Sequence, residues 1–98
     1  MIKIYVKYEN EKVKEIKIKG HALYDDFGKD IVCASFSSIL ITTINAIEMI
    51  DSDAIYYDDK IFLINILKDD EIVNKLIDNM INLFQELEHD YPENIKFI

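Results

Sequence analysis

The sequence predicts an α+β fold. It reads as a single two-layer domain in the order β-β-α-β-β-α-β, with a largely antiparallel sheet and two helices. Three observations predict it. The first twenty residues alternate apolar and charged side chains with a period of two. Two later stretches, 31–50 and 69–88, are long and apolar enough to be core helices. The chain has 98 residues, half of them apolar, which suits one core spanning 1–98.

The elements follow in order. Ile2, Ile4, Val6 and Tyr8 alternate with Lys3, Tyr5 and Lys7, and Ile16 and Ile18 alternate with Glu15, Lys17 and Lys19. This is the pattern of a half-buried antiparallel hairpin, with Glu9-Asn10-Glu11-Lys12 as its link. Val13 is out of phase with Ile16, which predicts a bulge or a late strand start. The lysine-rich side reads as a solvated face. Residues 20–29 contain both glycines of the chain and read as a loop, mobile or tightly turned. Asp30 has the character of a helix N-cap, which starts the first helix at Ile31.

That helix, 31–50, is apolar around most of its circumference, so the sheet alone cannot cover it. A second helix supplies part of the cover and a partner subunit the rest. Its uncharged run, 31–47, is shorter than the about 20 apolar residues of a membrane span and carries several Ser and Thr. It reads as a core helix, with no membrane role. A second hairpin follows, with one strand at 54–57, a turn at Asp58-Asp59 and the other strand at 60–67. Its run Ile61-Phe62-Leu63-Ile64 suggests a strand covered on both faces. In 69–88, Ile72, Val73, Leu76, Ile77, Met80, Ile81, Phe84 and Leu87 give the strongest helical periodicity in the chain. Tyr91-Pro92 ends it, and Ile95 and Phe97 mark a short last strand.

The formal charge is −8, a balance that argues against direct nucleic-acid binding. The charge is uneven: 1–20 hold six Lys against three Glu, and 21–98 hold five Lys against sixteen acids. One Cys excludes an intrachain disulfide and suits a reducing cytoplasm. A resolving partner for redox cycling is also missing from the sequence. With two His and one Cys, a metal site or cofactor is not expected. His89, near the end of an acidic helix, reads as a surface residue.

The remaining candidates are His21 and Cys33. Cys33 falls at the third position of the first helix, where unpaired N–H groups and the helix dipole favour a thiolate. An imidazole within reach would complete a cysteine nucleophile, and the same N–H groups could hold an oxyanion. Asp30 opposes thiolate formation unless it is engaged by the cap or by His21. The residues also fit a bland reading, in which Cys33 is a small buried core side chain and His21 an ordinary loop residue.

The stretch Gly20-His21-Ala22-Leu23-Tyr24, then Gly28-Lys29-Asp30-Ile31-Val32-Cys33-Ala34, then Ser37, resembles the ribosomal-processing cysteine protease (Prp) family. The resemblance covers the whole chain in length and element order. It implies a small cytoplasmic homodimer that removes the N-terminal extension of the twenty-seventh large-subunit ribosomal protein. It implies His21 as general base and Cys33 as nucleophile. Gly20, Gly28, Asp30 and Ser37 would support the site, and the glycine loop would close over the substrate. The substrate would be a basic ribosomal protein precursor, to which an acidic enzyme is complementary. The alternative on the same fold is a non-catalytic acidic dimeric ribosome-assembly or protein-binding module, with Cys33 as a core residue.

Overall fold

In a computed structural model of the chain, residues 1–20 and 31–98 are described. The elements are β1 (Ile2–Glu9), β2 (Lys12–Lys19), α1 (Ile31–Ile50), β3 (Ile55–Asp58), β4 (Leu63–Ile66), α2 (Glu71–Asp90) and β5 (Ile95–Phe97). The order and the α+β class agree with the sequence expectation. The five strands form one sheet in the order β3-β4-β2-β1-β5. All pairings are antiparallel except β1 with β5, which is parallel.

The first hairpin turns at Asn10 and Glu11, whose φ values of 53° and 65° suit a tight two-residue turn. The expected bulge is present. Lys7 faces Glu15 but Tyr8 faces Val13, so Lys14 is the extra residue. The bulge restores Val13 to the inner face, where it is buried.

Alternation gives the sheet two faces. Ile2, Ile4, Ile16, Ile18, Ile55, Ile64, Ile66 and Ile95 point inward and join both helices in one core cluster. The other face is open and its residues line up in rows across the strands. One row is Tyr56, Asn65, Glu15 and Lys7; the next is Asp58, Leu63, Lys17 and Tyr5; the third is Lys19, Lys3 and Lys96.

The second hairpin differs from expectation. β3 keeps the expected length but is shifted by one residue, β4 is shorter than the expected 60–67, and residues 59–62 form the link. Asp58 ends β3 instead of starting the turn, and its carboxylate accepts the Lys60 N–H at 2.9 Å. Ile61 is exposed, and Phe62 has a φ of 51°, which no strand residue adopts. The backbone turns here, while the Phe62 ring packs against the core and its carbonyl accepts the Ile18 N–H at 3.1 Å. An apolar run does not by itself distinguish this arrangement from a buried strand.

α2 begins two residues later than predicted. Asp70 is the N-cap and its side chain accepts the Val73 N–H at 3.0 Å. Asp69 is drawn outside the helix by Lys12 at 2.7 Å and by the Asn74 amide at 2.8 Å. At the far end the Glu88 carboxylate accepts the Phe97 N–H at 2.8 Å, which fastens β5 to α2.

α1 runs over 31–50 as predicted. It is long and apolar enough to cross a membrane by length and composition, but Val32, Phe36, Leu40, Ile44 and Ile47 pack in the core. Its outward side carries Ala34, Ser38, Ile41, Thr42 and Asn45, all exposed and uncharged.

Candidate active site

Cys33 is the third residue of α1, as the sequence predicts. The first four N–H groups of a helix lack intrahelical acceptors, so the Cys33 thiol is carried beside backbone donors. The side chain is buried, with 1% of its surface exposed. Val32 and Phe36 on either side of it are buried in the core and fix the rotation of this turn. The Phe36 ring stacks on Phe84 of α2 with 4.4 Å between centroids. The thiol therefore sits on a helix locked at its first two turns.

Ser37 follows Cys33 by four residues and is partly buried. Positions four apart lie on the same side of a helix, so its hydroxyl is one turn along from the thiol. Gly20 directly follows β2 and has a φ of 70°. A Cβ at this position would collide with the Met1 carbonyl oxygen. Two constraints thus require glycine immediately before His21: a left-handed backbone and a close approach to the N-terminal strand.

The expected base His21, together with Gly28 and Asp30, lies outside the described residues. Of the predicted site, the structure places Gly20, Cys33 and Ser37. His89 is exposed in the last turn of α2, as expected. Among the described residues, no group of three or more His, Cys, Asp or Glu side chains converges to hold a metal ion.

Asp51 is held below the ordinary carboxylate value by its hydrogen bond from Lys68 at 2.8 Å, and Lys68 is raised by the same bond. Asp69 is lowered by hydrogen bonds from Lys12 and Asn74. Burial, followed by the charges of Asp59 and Asp58, raises the Tyr57 phenol.

Comparison with known proteins gives the class of this five-stranded α+β chain, a cysteine protease. The sequence model described as "Cysteine protease Prp" matches residues 1–96, and the chain belongs to this family. The ribosomal processing cysteine protease Prp of Staphylococcus aureus is 30% identical over 102 residues, covering 98% of this chain and 96% of the relative. A crystal structure of Prp from S. aureus with a substrate peptide superposes with a TM-score of 0.83 at 31% identity, covering 100% of this chain and 98% of that one. A second, with a covalently linked product peptide, has a TM-score of 0.84 at 32% identity and covers 99% and 97%. A Streptococcus mutans protein at 23% identity and a TM-score of 0.82, covering 99% of this chain and 91% of that one, shares the fold.

Proposed function

We propose that residues 1–98 act as one ribosomal-processing domain that removes the N-terminal extension of the twenty-seventh large-subunit ribosomal protein by a Cys33–His21 dyad. The observation that carries this is the position of the only cysteine of the sequence, at the third residue of α1, in a chain whose match to the protease family covers 1–96.

The chemistry is acyl transfer. His21 takes the Cys33 thiol proton, and the thiolate attacks the scissile carbonyl carbon. The resulting oxyanion is stabilised by N–H groups of the first turn of α1. Collapse breaks the C–N bond as the imidazolium protonates the leaving amine. Water, deprotonated by His21, then hydrolyses the thioester and restores the thiol. A covalently linked product peptide on the S. aureus relative is in keeping with such a route. Asp30 and Ser37 orient the pair, and Gly20 and Gly28 shape the loop that closes over the peptide. Because Cys33 is 1% exposed, the thiol must be uncovered before it can attack.

The acidic balance of −8 suits a basic ribosomal precursor in the cytoplasm. The uncharged outward side of α1, with Ile31 at 66% and Ile41 at 44% exposure, supports a homodimer that covers it. A dimer would elute at about twice the 11.5 kDa chain mass.

The test is incubation of the purified protein with the ribosomal-protein precursor carrying its native extension. Wild type is expected to cleave it, and Cys33→Ala and His21→Ala to be inactive. If wild type and Cys33→Ala leave the precursor equally intact, the substrate assignment fails. Tight binding of the intact precursor would then favour the assembly-module reading.

A further inference from the structure

The rows of the open sheet face concentrate positive charge on an acidic protein. In these three rows Lys3, Lys7, Lys17, Lys19 and Lys96 meet only Glu15 and Asp58, a surplus of three positive charges where the chain as a whole carries −8. None of the five lysines makes a salt bridge among the described residues. Lys19, Lys3 and Lys96 stand abreast on adjacent strands. Like charges placed directly opposite one another destabilise a sheet.

Edge protection does not account for this arrangement. Lysine is common on edge strands because it blocks unwanted pairing, and that covers Lys96 on β5. Lys3 on β1 and Lys17 on β2 are flanked by paired strands on both sides, where no edge needs protecting. Two aromatic side chains share the face, Tyr5 and Tyr56, and the Lys19 ammonium lies 5.7 Å from the Tyr5 ring centre. A depression of about 300 Å³ on this face is lined by Tyr5, Lys7, Glu15, Lys17 and Lys19.

We propose that this face docks on RNA, its lysines on phosphates and its tyrosines against bases. Sheet faces with exposed aromatics are a recurrent platform for single-stranded RNA, because every base has a stacking surface. Phosphates supply the closely spaced negative charge that offsets the Lys19–Lys3–Lys96 row. The net charge conceals the face because the acids of the helical layer lie about one helix diameter behind the sheet, roughly 10 Å. That exceeds the screening length of about 8 Å at physiological salt. The two faces then serve different partners, and the Cys33 thiol, on the helical side, takes no part in this one.

The test is fluorescence anisotropy with a labelled single-stranded oligouridylate from about 50 to 200 mM salt. Wild type is expected to bind, with affinity falling linearly on a log–log salt plot. The triple variant Lys3→Gln, Lys19→Gln, Lys96→Gln is expected to lower that slope by about 2, at about 0.7 for each phosphate left without its lysine. Tyr5→Leu is expected to weaken binding with the slope unchanged. Lys75→Gln on α2 and Cys33→Ala are expected to bind as wild type does. If the triple variant does not fold, the slope of Lys3→Gln alone decides. Absence of binding at low salt overturns the proposal, as does wild-type binding by a folded triple variant. Equal competition by oligoglutamate also overturns it, in favour of an acidic protein partner.

Discussion

Phe36 and Phe84 stack with 4.4 Å between ring centroids and an interplanar angle of 20°, both fully buried, and join the helix that carries Cys33 to α2. The pair lies one turn from the thiol, so packing and site geometry are coupled at this point.

Truncating the α2 partner tests that coupling. Phe84→Ala is expected to destabilise the fold by about 3–5 kcal/mol, the usual cost of emptying an aromatic core site. The denaturant midpoint measures it. Precursor cleavage per folded molecule is expected to fall as well, because the first turns of α1 lose their clamp. Unchanged cleavage would show that the thiol is positioned independently of this stacked pair.

Gly20 allows a second test. Gly20→Ala meets a φ of 70° and the Met1 carbonyl together. Strain of this kind costs on the order of 1–3 kcal/mol. The expected outcome is a lower melting temperature and a larger proportional loss of cleavage, because the next residue is His21. A stable variant with full activity would remove Gly20 from the site.

Thiol chemistry reports the proposed dyad without a substrate. Alkylation of Cys33 by iodoacetamide is expected to be slow, because the side chain is buried. His21→Ala is expected to move the pH profile of alkylation upward. A profile identical to wild type would mean that His21 does not govern the Cys33 proton.

Acid stability follows from two exposed ion pairs. Asp51 and Asp69 have folded-state values below the ordinary 3.8 of an unfolded aspartate. A depressed carboxylate contributes its stability above the unfolded value and loses it as pH falls through the folded one. The melting temperature is therefore expected to fall below about pH 4, less so in high salt. Asp69→Asn is expected to reduce that fall, since it removes one of the two titrations. An equal fall in Asp69→Asn would assign the acid sensitivity elsewhere.

Sequence alone determined the elements whose periodicity is local. The bulge was legible because Val13 breaks the phase of Ile16 and Ile18, and α2 because eight apolar residues recur at one helical face. The position of Cys33 followed from where the uncharged run begins. Only the tertiary structure decided the rest. Phe62 turns the chain because Ile18, forty-four residues away, donates to its carbonyl. β5 pairs parallel with β1 although more than eighty residues separate them, and Lys12 draws Asp69 out of α2 from the hairpin tip. Strand order, in turn, set Lys19, Lys3 and Lys96 abreast. Side-chain periodicity is a property of neighbours along the chain. Cross-strand charge rows and ion pairs between distant segments exist only once burial of the common core has fixed which segments lie together.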